Sequence, residues 1–160
     1  MKFLTYNRKN AVSYARTWAL GRNPAYYNFN DLGGDCTSFV SQCIYAGTGI
    51  MNYIPETGWF YRTANDRTAS WTGVDYLFDF LTQNRSVGPF GYVCGIEDVQ
   101  FGDVIQLGDS SYNFYHSLLV VNPYPQIRVC AHSQDALNRL LSSYVFENMR
   151  CIHIEGARVW

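Results

Sequence analysis

The sequence predicts an α+β fold in which N-terminal helices pack on a C-terminal antiparallel sheet. Three observations carry this prediction. Before residue 84, apolar side chains recur at helical spacing in three separate segments. After residue 100 the period shortens, and four segments rich in β-branched and aromatic residues are bounded by Gly, Asn or Pro. Helices followed by strands, without βαβ alternation, indicate an antiparallel sheet.

The helices are predicted from their apolar faces and their terminating residues. The first spans residues 7–20 and is ended by Gly21. The second begins at residue 35 or 36 and closes at the glycines of residues 47–49. Residues 51–72 have no sustained period and are predicted to form a long ordered loop. A third helix is predicted over residues 73–83.

The strands are predicted over residues 103–107, 115–122, 127–133 and 148–154. The segment Pro123-Tyr124-Pro125 separates the second strand from the third, which indicates a hairpin. The inner face of this sheet is expected to pack against the second helix.

Length and charge restrict the possible classes of protein. A chain of 160 residues predicts a single domain over residues 1–160. The formal net charge of −1 argues against a nucleic-acid-binding protein, which needs a basic surface. No segment approaches the ~20 apolar residues of a membrane span, and a monomer is expected. No signal peptide is recognisable, so the chain as given is expected in the cytoplasm, or outside the cell or in the cell wall if it belongs to a longer exported protein.

The five cysteines are an odd number without a C-x-x-C pair, so they indicate neither a disulfide framework nor a zinc ribbon. One Cys and two His could instead bind zinc, but structural zinc sites usually contain local ligand pairs and none occurs here. No metal or organic cofactor is therefore expected.

Cys36 is the candidate nucleophile. It follows Gly33-Gly34-Asp35 at the start of the second predicted helix, where free N–H groups and the helix dipole favour an anion. Such a position is expected to lower the pKa of the thiol and favour the thiolate. Cys43 lies two turns deeper on the same helix and is interpreted as a small buried apolar residue.

Two histidines are candidates for the other catalytic roles, because a thiol nucleophile needs a general base within hydrogen-bond reach. His116 opens one predicted strand and His132 lies near the end of the next. In a hairpin these two positions are expected to be cross-strand neighbours, with His116 as base and His132 orienting it. Asp135 is the alternative third member. His153 alternates with apolar residues and is interpreted as structural.

The segment Gly34-Asp35-Cys36-Thr37-Ser38-Phe39-Val40 resembles the nucleophile motif of NlpC-type cell-wall peptidases, and Phe101-Gly102-Asp103-Val104-Ile105 is similar to their Gly-Asp-Leu-Val strand. A closer resemblance covers nearly the whole chain and is to the bacterial "putative amidase" domain family, which is common in Firmicutes. The segments that carry it include Tyr6-Asn7-Arg8, Ser70-Trp71-Thr72-Gly73-Val74, Tyr115-His116-Ser117, Ala131-His132-Ser133 and Leu141-Ser142-Ser143-Tyr144.

The resemblance implies a compact papain-like fold, related to NlpC-type and CHAP cysteine peptidases, and hydrolysis of an amide bond through a thioester. By matching position it implies that Asp35 and either Tyr26 or Tyr27 hold the free amine of a peptide, such as a stem peptide of peptidoglycan. Two alternatives stay open: a non-catalytic module that binds cell-wall glycopeptide, and an acyltransferase. Asp35 is equally expected to cap the second helix.

The aromatic residues Tyr53, Trp59, Tyr61 and Trp71 could line a peptide or glycan groove. Packing of the 51–72 segment against the domain is the favoured interpretation.

Overall fold

The computed structural model describes all 160 residues. It contains four α-helices: α1 (Arg8–Trp18), α2 (Cys36–Thr48), α3 (Ala69–Thr72) and α4 (Val74–Gln83). The nine strands are β1 (Lys2–Leu4), β2 (Tyr61–Thr63), β3 (Asp66–Arg67), β4 (Gly88–Cys94), β5 (Val104–Gly108), β6 (Phe114–Asn122), β7 (Arg128–Ala131), β8 (Ala136–Leu140) and β9 (Asn148–Val159). The predicted α+β class is confirmed.

Seven strands form one antiparallel sheet with the order β1-β9-β5-β6-β7-β8, and β4 also pairs with β9. The strand β9 is the longest and carries three partners. Its first half pairs with β5 and its last three residues with β1, while β4 pairs along residues 151–158. Since a strand has only two edges, β5 and β1 follow each other along one edge and β4 occupies the other.

The sheet buries apolar side chains on both faces. On one face, Val104, Leu119 and Ile152 join the core formed with α1, α2 and α4. On the other, Ile105 and Leu118 belong to a second core, which loops and short 3₁₀ turns cover. Successive side chains of a strand point to opposite faces of the sheet, and here both faces are buried. Neighbouring positions of β5 and β6, such as Val104 and Ile105 or Leu118 and Leu119, are therefore both apolar. The predicted packing of the sheet against α2 is confirmed.

The second helix fixes the position of the candidate nucleophile. Phe39, Val40 and Ile44 are fully buried on its inner side. The helix ends at Gly49, whose positive φ of 68° lets its N–H bond to the carbonyl of Tyr45. Both ends lie within one residue of their predicted positions.

Residues 51–72 differ from the predicted long loop. They contain an isolated bridge between Asn52 and Trp59, the hairpin of β2 and β3, and the short helix α3. Trp59 and Trp71 are fully buried in the core, with ring centroids 4.7 Å apart. The packing interpretation is thus correct for these two residues. Their burial anchors the segment to the core, although its sequence has no sustained apolar periodicity.

Asp103 connects α1 to the sheet. Its buried carboxylate accepts hydrogen bonds from Arg8 Nη1 at 2.8 Å and from the backbone N–H of Ile154 at 3.0 Å, and it pairs with His153 Nδ1 at 3.0 Å. Arg8 also donates to the carbonyl of Ile154. The structural interpretation of His153 is correct, since its ring fixes this junction.

Two cysteines lie opposite each other on neighbouring strands. Cys94 of β4 and Cys151 of β9 are direct partners in the antiparallel register. All five cysteines are free. None of the helices has the length and apolar content that crossing a membrane would demand.

Candidate active site

Cys36 is the first residue of α2, and two glycines set up its position. Gly33 and Gly34 have φ angles of 86° and 99°, a left-handed conformation that side chains rarely adopt. The N–H of Asp35 donates to Ser133 Oγ at 2.9 Å, which ties the helix start to the second residue after β7. The N–H of Cys36 has no acceptor within the protein, as is usual in the first turn of a helix.

The thiol of Cys36 is surrounded by hydrogen-bond donors but is mostly buried. Burial raises its pKa, while hydrogen bonds from the backbone N–H of Ser117 and from the backbone and hydroxyl of Thr37 act in the opposite direction. The sulfur lies 3.8 Å from Thr37 Oγ1, which is 2.9 Å from Ser117 Oγ. The net shift is upward, so the predicted lowering of the thiol pKa is wrong for the free protein: desolvation outweighs the helix N-terminus.

His116 lies next to Ser117 at the start of β6. Its partner in the register is Leu107, which belongs to the core on the face of the sheet away from the helices. Burial, assisted by the charge of Arg139, lowers the pKa of His116 from 6.5 to about 4. The imidazole is therefore neutral at pH 7 and able to accept a proton. No hydrogen bond joins it to Cys36.

A cleft of about 680 Å³ opens beside His116. Asn30, Ser133, Arg139 and Tyr144 are among its lining residues. Cys36 does not itself line the cleft, but Ser133, which does, accepts a hydrogen bond from the N–H of the preceding residue, Asp35.

The structure does not bring His132 to His116. Leu119 pairs with Cys130, and the same register continued places His132 opposite Ser117. The His132 ring lies instead against Asp35, with Nδ1 2.6 Å from Asp35 Oδ2 and Nε2 2.7 Å from the carbonyl oxygen of Trp18. Both ring nitrogens of His132 thus have hydrogen-bond partners at the ends of α1 and α2, and neither is free for His116.

Asp35 does not cap α2. Its Oδ1 accepts from the N–H of Phe29 at 2.9 Å, and its Oδ2 lies 3.3 Å from Arg22 Nε in addition to His132. The carboxylate is almost completely buried. Its bonds hold the preceding loop and β7 to the helix start, which fixes the neighbouring Cys36.

Asp135 forms two hydrogen bonds with Arg22, at 2.9 and 3.0 Å. Arg22 is thus paired with both Asp135 and Asp35, and no hydrogen bond joins Asp135 to His116. The structure forms one polar network behind Cys36, made by the side chains of Arg22, Asp35, His132 and Asp135.

The two tyrosines before Cys36 have different surroundings. Tyr26 is packed between Tyr61 and Trp71, and burial raises the pKa of its hydroxyl to about 12. Tyr27 is half exposed, and its ring touches Phe29 with centroids 4.9 Å apart. Of the two, only Tyr27 is open to a ligand. Tyr53 is also half exposed, whereas Tyr61 is buried, so these aromatic residues do not share one open groove.

Sequence reasoning assigned no role to Arg139 or Tyr144, which line the cleft. Tyr144 belongs to one of the segments that carry the family resemblance, and that membership could have identified it as a candidate site residue. Arg139 stands in a strand, β8, that the sequence pattern does not indicate, and no signal identified it. No group of three or more His, Cys, Asp and Glu side chains is arranged to hold a metal ion.

Comparison with known proteins adds a family to this geometry. A family described as "putative amidase domain" matches residues 5–154. The chain belongs to this family. The match includes Cys36, His116, His132 and the lining of the cleft.

A curated relative of this amidase-family chain is the protein named "Uncharacterized protein YhbB" from Bacillus subtilis (strain 168). The two are 35% identical over 121 residues, which cover 72% of this chain and 37% of the relative. The chain thus spans little more than a third of that protein's length. No solved structure matches the chain.

Proposed function

We propose that this domain is a cysteine-dependent amidase or peptidase that hydrolyses an amide bond through a thioester on Cys36. One observation carries the proposal. Cys36 begins α2, and the hydroxyl of the next residue, Thr37, is hydrogen-bonded to Ser117, the neighbour of His116, which lines the cleft. Membership of an amidase family supports the same reaction class.

In the first half of the reaction, Cys36 Sγ attacks the carbonyl carbon while its proton passes to His116. The oxygen of the carbonyl becomes negative, and the free N–H of Cys36 is a suitable donor to it. The C–N bond then breaks, and the departing amine takes the proton from His116. In the second half, His116 accepts a proton from water, hydroxide attacks the thioester, and the acid leaves as Cys36 regains its proton.

The two reacting groups begin as a neutral pair. A thiol with a raised pKa and an imidazole with a pKa of about 4 do not exchange a proton in the free protein. The ring also lies on the cleft side of β6. No hydrogen bond joins the two groups in the free protein, so proton transfer needs the imidazole and the sulfur to come within reach of each other as substrate binds, a tightening that is common between free enzymes and their complexes.

The substrate class we propose is a peptide, in particular a stem peptide of peptidoglycan. Such a substrate lies outside the cytoplasm, so this function places the working protein there. Tyr27 is the exposed one of the two tyrosines and is our candidate for substrate contact. Asp35 is already paired with His132 and Arg22, and we assign it to positioning Cys36 rather than to binding the amine.

The test uses peptidoglycan stem peptides as substrates and intact-protein mass spectrometry as the readout. We expect released fragments with a new amine, and, after rapid acid quenching, an acyl group on Cys36. Cys36→Ala should abolish both signals. Cys94→Ala is the matched control, since it makes the same chemical change at a half-buried thiol outside the cleft, and it should retain both. Cleavage that persists in Cys36→Ala would contradict the proposal.

A second candidate is a non-catalytic peptide-binding module. It is favoured by the raised pKa of the Cys36 thiol and by the missing hydrogen bond to His116. Binding of the same stem peptides, without acylation or cleavage, would support this candidate. An acyltransferase would instead form the acyl group and pass it to an added amine.

A further inference from the structure

The cleft beside His116 contains one cation that no carboxylate balances. Arg139 lines this cleft, and no Asp or Glu does. Elsewhere in the fold, Arg22 and Arg150 are paired with Asp135 and Asp75. Arg139 instead contacts Ser143 and the ring of Tyr144. An unpaired guanidinium that is half-buried has given up part of its hydration without gaining a counter-charge.

The guanidinium of Arg139 is nevertheless held in a fixed position. Its Nε donates to Ser143 Oγ at 2.8 Å and its Nη2 to the carbonyl oxygen of Ser143 at 3.2 Å. The central carbon lies 3.7 Å from the centre of the Tyr144 ring. The Nη1 group has no acceptor, so the side chain presents free N–H donors from an ordered fork. That arrangement matches the two oxygens of a carboxylate.

Tyr144 provides a second donor without an acceptor. Its hydroxyl is buried and has no partner in hydrogen-bond geometry, while burial raises its pKa and the nearby guanidinium of Arg139 acts against that rise. A buried hydroxyl without a partner is unfavourable, and most such groups in folded proteins are satisfied by protein, water or ligand. The residue lines the same cleft, and its ring lies 6.0 Å from that of His116. An acceptor placed beside Arg139 would satisfy both donors.

We propose that this cleft binds a carboxylate of the substrate through Arg139 and Tyr144, so that the amidase prefers acidic peptides over neutral ones. The inference rests on the proposed function, because it assigns one group of the substrate to the cleft of the same site. A neutral group at this place would leave the guanidinium and the hydroxyl desolvated and unpaired, which disfavours neutral peptides.

Carboxylate binding at Arg139 also affects the base. The charge of Arg139 is one of the two causes that lower the pKa of His116, after burial. A bound carboxylate neutralises that charge and adds a negative one close to the imidazole, so the pKa of His116 rises. His116 thus becomes a stronger base when an acidic substrate is bound, which couples substrate choice to proton transfer from Cys36.

The experiment compares two probes that differ in charge, N-acetylglycine and its neutral amide N-acetylglycinamide. Binding is followed by NMR of the His116 ring in the Cys36→Ala protein, which has no nucleophile. We expect saturable shifts with N-acetylglycine and none with the amide. Arg139→Met should weaken binding of N-acetylglycine by about tenfold or more, and Tyr144→Phe should weaken it by a smaller factor.

Arg85→Met is the matched control, because Arg85 is an exposed arginine outside the cleft. It removes the same charge and should leave the affinity unchanged. Equal responses to the two probes, or full affinity in Arg139→Met, would overturn the carboxylate site. Since nothing in this experiment depends on turnover, it is decided separately from the stem-peptide cleavage assay that tests the amidase reaction.

Discussion

Asp35 and His132 are joined by a hydrogen bond of 2.6 Å between two side chains that lie 97 residues apart and are almost fully buried. The opposite nitrogen of the ring faces the carbonyl oxygen of Trp18, which can only accept. The Nε2 nitrogen therefore carries a proton, and Nδ1 and Asp35 Oδ2 share the short hydrogen bond. The pair connects α1, the start of α2 and the end of β7 immediately behind Cys36.

Replacing Asp35 by Asn should destabilise the fold strongly. Asp35 is the common partner of the buried His132 and of the partly exposed Arg22, and removing one member of such a buried pair costs about 3–5 kcal/mol. The free energy of unfolding in urea measures this. Asp135→Asn is the control because its carboxylate is about one-third exposed; it should cost about 1 kcal/mol or less. Equal losses in the two variants would argue against a buried pair.

The pKa of His116 predicts a dependence of stability on acid. The unfolded chain binds a proton at the ordinary value of 6.5, and the folded chain only at about 4. The unfolded state therefore binds more protons in this window, and the free energy of unfolding falls as the pH is lowered from 6.5 to 4, by up to about 3 kcal/mol. Urea titrations of the wild type and His116→Gln measure it. The difference between their slopes should be confined to this window, and parallel slopes would contradict the depressed pKa.

The raised pKa of Cys36 predicts slow alkylation of the free protein. The thiolate is the species that iodoacetamide attacks, so labelling should reach half its maximal rate above the ordinary thiol value of about 8.5. His116→Ala should leave this midpoint in place, because the imidazole is already neutral there. Mass mapping over the five cysteines provides the readout. Rapid labelling of Cys36 below pH 7 that disappears in His116→Ala would instead indicate a preformed thiolate–imidazolium pair.

The sequence pattern predicted α1, α2 and α4 well because each has an apolar face and a clear end, as α2 has at Gly49, whereas the four-residue α3 is too short to show a period. It did not predict β4, whose Gly88-Pro89-Phe90-Gly91 segment has residues that are unfavourable in a strand interior. The structure accepts Pro89 because β4 pairs only with β9, so one side of the strand needs no donor. Tertiary position, rather than local propensity, decides such an edge strand.

The sequence predicted the elements on which the candidate site residues stand but not their mutual geometry. The motif placed Cys36 at a helix start and His116 at a strand start, and both positions are correct. The relation of His116 to His132 depends on strand register, and a displacement of one residue turns a side chain to the other face. Leu119 opposite Cys130 fixes that register through packing in the core, which no local pattern encodes.

Cys94 and Cys151 are expected to form a disulfide on oxidation at alkaline pH, because burial raises the pKa of Cys94 to about 11 and that of Cys151 to about 12, and the thiolate is the reacting form. Directly opposed residues of antiparallel strands have Cα atoms about 4.5–5.5 Å apart, within the range of disulfides. With excess oxidised glutathione, the two thiols lose their protons and two electrons, and glutathione is released as thiol. The crosslink should add about 2–4 kcal/mol to the free energy of unfolding. Peptide mapping identifies the bond, and Cys94→Ser should abolish the gain; oxidation without this crosslink would contradict the expectation.

The pairing of β1 with the last residues of β9 places Lys2 opposite Val159. The two chain ends are therefore neighbours at one edge of the sheet, although they are the most distant residues in sequence. A short Gly-Ser linker from Trp160 to Met1 would span this gap, and new ends could be opened in the exposed turn around Tyr124. Such a circular permutant would keep every strand pair, including the seam between β1 and β9, and it would turn that seam from a contact across the whole chain into a local hairpin.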